Sequence, residues 1–338
     1  MNSKDILELK SLLNTPKEIV IVPHKNPDGD AMGSTLGLYH FLKELGHKAT
    51  VIAPNDYPEF LKWLPSDETV IKYESQSKEA DDLIDKAELI FTLDFNALSR
   101  TGEMETSLIA STATKILIDH HQQPDQYAAY MYSDVSMSST CEMVFNFIEF
   151  LDGLDRISPE IATCLYTGIM TDTGSFKFRS TTSRTHRVIA TLIDKGADNM
   201  QIHDNVYDTN SYQSLQLLGC ALQNLRLLTE FNTVYITLSQ EELDAHNFRK
   251  GDTEGFVNYG LSIKDVVLAV IFIENKQEDI IKISLRSKGT FSVNDFARTH
   301  FSGGGHINAA GGRSELDLSE TVEKFISILP QYKTELNS

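Results

Sequence analysis

Apolar positions along the chain follow two patterns that change near residue 200. In the first part, short apolar runs alternate with longer stretches that repeat at three- and four-residue spacing. Residues 18–22 read as a strand, 31–45 as a helix stopped by Gly46, and 48–53 as the next strand. That is a βαβ unit. Strand-like runs recur at 89–94, 107–111 and 115–119, and helical spacing then dominates at 138–151, 159–170 and 185–195. The alternation predicts an α/β domain whose mainly parallel sheet is flanked by helices.

Beyond a polar stretch at 197–213, strand patterns take over at 222–229, 233–238, 266–274 and 279–286, with helices near 293–299 and 319–329. These predict a smaller C-terminal α+β domain on a mainly antiparallel sheet. The expected division is therefore a first domain at 1–195, a partly helical linker at 196–214 and a second domain at 215–338.

At 338 residues, each half is large enough to bury its own core. A net charge of −18 argues against binding to long duplex nucleic acid, which draws on a surplus of Lys and Arg; short substrates are compatible with it. Cys141, Cys164 and Cys220 form no close pair and an odd number, which suits reduced thiols better than a disulfide framework. Residues 1–10 lack the apolar centre of a signal peptide, and the strongest apolar run, 266–273, is too short to span a bilayer. A soluble cytoplasmic protein without membrane partners is expected, and a homodimer is compatible with the composition.

The candidate chemistry lies where the strands end. Ile118 is followed by Asp119, His120 and His121, three adjacent metal-compatible side chains at a strand exit. After the run 19–22 come His24, Asp28 and Asp30, with Pro27 and Gly29 forcing a turn that lets them converge. Asp30 also fits the N-cap of the following helix. Two carboxylates and an imidazole packed together would titrate abnormally unless a cation sat among them. Asp94 ends the strand-like run 89–93, and Asp172 lies within Gly168 to Phe176. Ligands placed outside the carboxyl ends of parallel strands are where such sheets bind them. His24, Asp28, Asp30, Asp94, His120 and Asp172 mix hard carboxylates with imidazole and lack thiolate, which favours Mn²⁺ or Mg²⁺ over a structural zinc site. Six such groups exceed the needs of one ion, and sharing them between two with a carboxylate bridging gives an arrangement used for phosphoryl hydrolysis.

The four segments resemble, in order and type, the motifs of DHH-superfamily phosphoesterases: His24 to Asp30 with Gly33 and Ser34; Asp94; Asp119, His120 and His121; and Asp172. Gly303, Gly304, Gly305 and His306, followed by Ala309, Ala310, Gly311 and Gly312, resemble the glycine-rich motif of the DHH-associated C-terminal domain. The resemblance spans nearly the whole chain and is nearest to the compact branch of oligoribonucleases and 3′-phosphoadenosine 5′-phosphate phosphatases. It implies an active site in the interdomain cleft. It also implies two divalent ions, Mn²⁺ first with Mg²⁺ or Co²⁺ as substitutes, one held by His24, Asp28 and Asp94, the other by Asp30, Asp94, His120 and Asp172. Asp94 would bridge, and His121, oriented by Asp119, would contact the scissile phosphate or protonate the leaving oxygen. The implied reaction is attack of an ion-activated hydroxide on short 5′-phosphorylated oligoribonucleotides or on the nucleotide bisphosphate.

In the second domain, the Gly303 to Gly305 amides can approach a phosphate closely, and the stretch after them reads as a helix N-terminus. His306, Arg286 and Lys288 supply charge of the right sign, and Arg suits bidentate phosphate recognition. Arg100, Ser34, Thr173, Arg179 and His186 are further residues that could touch substrate. Trp63 reads as core, and Phe256 and Tyr259 fit either nucleobase stacking or core. Rival readings are a cyclic-dinucleotide phosphodiesterase, a RecJ-like single-strand exonuclease and a non-enzymatic nucleotide- or metal-binding regulator. The Gly303 to His306 motif disfavours a pyrophosphatase.

Overall fold

The structure is a computed structural model; it describes residues 1–337 and divides into two units, Met1–Thr209 and Asn210–Ser338. The first unit begins α1 (Ser3–Leu12), β1 (Glu18–Val22), α2 (Gly29–Glu44), β2 (Lys48–Ala53), β3 (Ile71–Lys72), α3 (Tyr73–Lys86) and β4 (Leu89–Leu93). It continues α4 (Glu105–Ala110), β5 (Thr114–Asp119), β6 (Tyr130–Ser133), α5 (Thr140–Phe150), α6 (Pro159–Asp172), α7 (Ser183–Asp194) and α8 (Asn199–Tyr207).

Six parallel strands form one sheet in the order β3-β2-β1-β4-β5-β6. Alternate residues of β1 and β4 enter two separate cores. Ile19, Ile21, Phe91 and Leu93 pack with α2, α5 and α6, whereas Val20, Val22 and Ile90 pack with Ala80 and Ile84 of α3. Strand order reverses between β1 and β4, the point at which a doubly wound sheet opens a crevice at its carboxyl ends.

On the first of those faces α2 lies unusually close to α6. A Cβ added at Gly33 would come within 2.5 Å of the Cys164 carbonyl oxygen, and at Gly37 within 2.6 Å of Leu165 Cδ2; one at Gly29 would collide with Thr171. These glycines recur every four residues on one helix face, so α6 approaches with no α2 side chain in the way at these positions. The same contact holds Asp30, near the start of α2, beside Gly168 of α6, whose added Cβ would lie 3.0 Å from the Asp30 Cα.

The second unit runs α9 (Tyr212–Gln223), β7 (Arg226–Leu228), β8 (Thr233–Leu238), α10 (Gln240–Ala245), α11 (Phe256–Leu261) and β9 (Leu268–Asn275). It then follows β10 (Ile280–Ser287), α12 (Val293–His300), β11 (Gly304–Gly305), β12 (Ala309–Ser314), α13 (Leu318–Ile328) and α14 (Lys333–Leu336). Its sheet, ordered β11-β12-β10-β9-β8-β7, is antiparallel except for the β8–β9 pair. Phe272, Phe296 and Phe325 anchor the core on one face; Leu217, Phe256 and Val257 lie in the core on the other.

Several expectations need correction. Residues 107–111, expected as a strand, fall largely in α4, where Leu108 is buried and its neighbour Ile109 is 61% exposed. So short an apolar run has no periodicity of its own. Residues 222–229 are divided between the end of α9, which buries Leu217 and Ala221 four residues apart, and the short strand β7. The stretch after Gly305 enters strand β12, not a helix. By contrast, the stretch 196–214, expected to be partly helical, does hold α8 and the start of α9. Among the described residues no helix is long and apolar enough to cross a membrane.

Candidate metal centre

Three strand exits and three helix ends build the site in the first unit. His24 stands just beyond β1, with its Nδ1 2.9 Å from the Lys25 carbonyl oxygen. A carbonyl only accepts, so Nδ1 carries a hydrogen and Nε2 is the atom turned towards the carboxylates. Nε2 lies 3.6 Å from Asp94 Oδ2 and 3.9 Å from Asp28 Oδ1. The loop is clasped by Asn55, which accepts from the Asn26 amide at 2.7 Å and donates to the Asn26 side chain at 2.9 Å.

Asp28, not Asp30, caps α2, accepting from the amides of Asp30 and Ala31 at 3.0 and 3.1 Å. Asp30 is buried and serves another helix. Its Oδ2 accepts from the Thr140 amide at 2.6 Å and its Oδ1 from the Cys141 amide at 2.9 Å. Those amides are at the start of α5, where donors lack intrahelical partners and the helix dipole favours an anion. Asp172 occupies the opposite situation, as the last residue of α6, where the dipole disfavours a carboxylate and a cation would relieve it.

Asp94 stands between these groups with a left-handed backbone, φ 66°. Its Oδ2 faces His24, while its Oδ1 is 3.5 Å from His120 Nε2 and 3.7 Å from His121 Nδ1. His120 Nε2 is also 3.5 Å from Asp172 Oδ2 and 3.8 Å from Asp30 Oδ2. Its other ring nitrogen faces the Met137 carbonyl oxygen at 3.3 Å. His121 Nδ1 meets Asp119 Oδ1 at 2.7 Å, and the fully buried Asp119 has a second oxygen without a hydrogen-bond partner.

Two groups of three meet at Asp94: His24, Asp28 and Asp94 itself, and the neighbouring Asp30, His120 and Asp172. Within each, one ligand atom per residue lies within 4.8 Å of the rest. Separations of 3.5–3.9 Å between Nε2 and carboxylate oxygens exceed a hydrogen bond and leave the span that a shared cation occupies.

The electrostatics agree. Desolvation, reinforced by Asp94 and Asp172, pushes the Asp30 carboxyl well above its usual range. Desolvation likewise pushes Asp172 up to about 6, with Asp28 and Asp94 adding to it. Burial opposes charge on His120 and His24, yet the surrounding carboxylates raise both. Burial also opposes charge on Asp94, but His120 and His24 outweigh it and hold its carboxyl well below the usual range. Without a cation, then, the cluster compensates its negative charge with protons, and divalent ions would replace them. Burial pushes the Cys141 thiol up, and its Sγ donates to the Asp30 carbonyl oxygen at 3.5 Å, so sulfur adds nothing to the donor set. Carboxylate and imidazole donors of this kind fit a hard divalent ion.

In the second unit, Arg286 pairs in register with Ala309 of β12, and the His306 amide donates to the Ala309 carbonyl oxygen at 2.7 Å. Arg286 and the glycine hairpin therefore lie side by side, while Lys288 is exposed just beyond β10. The Gly303 amide donates to the Ala297 carbonyl oxygen and the Gly305 amide to Asn294 Oδ1, so both are engaged within the unit. A Cβ on Gly303 would collide with the Gly311 carbonyl, and one on Gly305 would lie 2.5 Å from the Ala309 carbonyl oxygen. Close backbone packing is reason enough for glycine here.

Of the further candidates, Ser34 and Thr173 turn their hydroxyls back onto carbonyls of their own helical turns. Arg100 is exposed, and its carbonyl accepts from the Lys25 amide at 2.7 Å. Arg179 is exposed, and the His186 ring lies 6.1 Å from that of Phe176. Trp63 packs against the first core, Phe256 is buried in the second, and Tyr259 is 48% exposed. Thr140, Cys141 and Asn55 escaped the sequence reading. The glycine repeat at 29, 33 and 37 was a signal there to be found.

A doubly wound sheet presenting carboxylate and imidazole groups at its switch point has the donors of a divalent-metal site. The chain belongs to the DHH family: residues 18–169 match the DHH family, N-terminal domain, and residues 232–335 match the DHHA1 domain. It is a hydrolase of phosphate ester bonds. It is 32% identical over 318 residues to the bifunctional oligoribonuclease and PAP phosphatase NrnA of Thermus thermophilus, covering 94% of this chain and 90% of that protein. It is 26% identical over 336 residues to the cyclic-di-AMP phosphodiesterase GdpP of Bacillus subtilis, covering 96% of this chain and 49% of that protein. A crystal structure of an exopolyphosphatase-related protein from Bacteroides fragilis superposes with a TM-score of 0.96 at 41% identity, covering 100% of this chain and 98% of that one.

Proposed function

We propose that this protein hydrolyses short 5′-phosphorylated oligoribonucleotides to mononucleotides and removes the 3′-phosphate of 3′-phosphoadenosine 5′-phosphate, acting in the cytoplasm with Mn²⁺. The observation that carries this reading is the pair of ligand groups, linked by Asp94 Oδ1 lying 3.5 Å from His120 Nε2, in a chain similar over 94% of its length to an oligoribonuclease and PAP phosphatase.

His24, Asp28 and Asp94 would hold one ion, and Asp94, Asp30, His120 and Asp172 the other. Divalent ions held there supply Lewis-acid activation of the attacking water and neutralise charge developing at phosphorus. The chain's own groups do the rest. Asp119 accepts a hydrogen bond from His121 Nδ1 and fixes its ring, so that Nε2 is the atom that meets the phosphate or, in the imidazolium form, gives its proton to the leaving oxygen. In the second unit, Arg286, Lys288 and His306 would bind the terminal phosphate of the substrate by charge, with Gly303, Gly304 and Gly305 shaping the hairpin beside them. A charged end-group site selects short, phosphate-ended ligands.

The likeness to GdpP over 96% of this chain supports a second reading, hydrolysis of a cyclic dinucleotide. Both are tested by incubating the purified protein with Mn²⁺ and 3′-phosphoadenosine 5′-phosphate, a 5′-phosphorylated RNA dinucleotide, a long single strand, a cyclic dinucleotide, pyrophosphate and polyphosphate. Fast cleavage of the first two supports the proposal. Preference for the cyclic compound replaces it with the second reading, preference for the long strand points to a RecJ-like exonuclease, and silence across the panel supports a regulator.

A further inference from the structure

Thr140 hydrogen-bonds to carboxylates of both ligand groups. It opens α5, one position after the N-cap Ser139, and is fully buried. Its amide donates to Asp30 Oδ2 at 2.6 Å and its hydroxyl donates to Asp94 Oδ1 at 2.9 Å. With the Cys141 amide on Asp30 Oδ1, both oxygens of Asp30 are pinned by the start of one helix. Among the described residues no backbone amide is seen to support the Asp94 carboxylate in this way, and its two oxygens face different partners: Oδ2 the His24 side, Oδ1 the His120 side. Rotation of that carboxylate would turn both oxygens away from their groups together. The Thr140 hydroxyl, bound to Oδ1 alone, opposes such rotation and leaves Oδ2 unencumbered.

We infer that Thr140 is a positioning residue that sets the plane of the Asp94 carboxylate, so that this side chain serves both ligand groups at once and the Asp30, His120 and Asp172 group can hold its ion. The inference rests on the two-ion reading above. Hydrogen-bonding partners of metal ligands typically contribute about 10- to 100-fold to metal affinity. The loss should be larger on the His120 side, where Oδ1 loses its donor, while on the other side His24 and Asp28 keep hydrogen bonds of their own.

The test is titration of Mn²⁺ into the metal-stripped full-length protein, with bound ion counted from the loss of the free-ion paramagnetic resonance signal. Wild type should bind two ions. Thr140→Val retains the branched shape and both helix amides but not the hydroxyl; it should bind one ion as wild type does and the other roughly 10- to 100-fold more weakly. Thr140→Ser should restore the second affinity, and Thr140→Ala, small enough for the buried position, should behave like the Val variant if that one folds poorly. A purely structural role would lower the melting temperature of the Val and Ala variants without separating the two affinities. Two ions bound by a folded Val or Ala variant as tightly as by wild type would overturn the inference, as would failure of Ser to restore the second. Binding of fewer than two ions by wild type would instead remove the two-ion reading beneath it.

Discussion

The exits of β1, β4 and β5 in the first unit and the β11–β12 hairpin in the second both carry residues that the sequence singles out, but their atoms are occupied differently. At the strand exits, carboxylates accept helix amides and still face imidazoles across gaps of 3.5–3.9 Å. In the hairpin, the amides of Gly303 and Gly305 are consumed by neighbours inside the unit, and a side chain on either would strike backbone. Charge held back from full satisfaction marks a place for a ligand; backbone packed to contact marks a constraint on shape. The same glycine-rich motif that suggests a phosphate cradle can be required by a tight hairpin, with any ligand role passing to Arg286, Lys288 and His306.

Substitutions separate these two kinds of role. The largest effect is expected at Asp94: Asp94→Asn should reduce Mn²⁺-dependent turnover on the order of 10³-fold or more while leaving the circular dichroism spectrum unchanged. Near-normal rates in a folded variant would remove the shared-ion arrangement. Next is Gly303→Ala, which should destabilise the second unit by about 1–3 kcal/mol through overpacking against Gly311 while leaving Mn²⁺ affinity in the first unit as it was. Denaturant unfolding and ion titration measured together decide it; an unmoved unfolding midpoint would mean the hairpin tolerates a side chain and is looser than described. Smallest are Arg286→Ala and His306→Ala, each expected to raise KM for phosphate-ended substrates roughly tenfold with little change in kcat. Unchanged KM in both would deny the second unit its part in holding the terminal phosphate.

How far the sequence could be read depended on how local each feature was. His24, Asp94 and His120 combine a ligating side chain with an apolar run ending beside it, so residue type and position are visible within a few residues. Thr140 was hidden, because a threonine at a helix start looks like any helix start. Its partners Asp30 and Asp94 lie 110 and 46 residues away. The cap of α2 went to Asp28 and not Asp30 for a related reason: both fit locally, and Asp30 was claimed by a distant helix. The sheet order was open to inference only in class, since the runs at 18–22 and 89–93 announce parallel strands but not that they would be neighbours. Helix α4 and strand β7 sit on runs too short for periodicity to discriminate.

The left-handed backbone at Asp94 narrows which amino acids the position can accept before any chemistry is considered. Most side chains lose about 1–2 kcal/mol per residue in that conformation, and Asp and Asn are the side-chain-bearing residues that enter it most readily. Glutamate would keep the carboxylate but lose that tolerance; glycine would keep the tolerance but lose the carboxylate. The turn after β4 thus acts as a filter on residue type, and aspartate is the single acid that satisfies both the chain's path and the charge it must present.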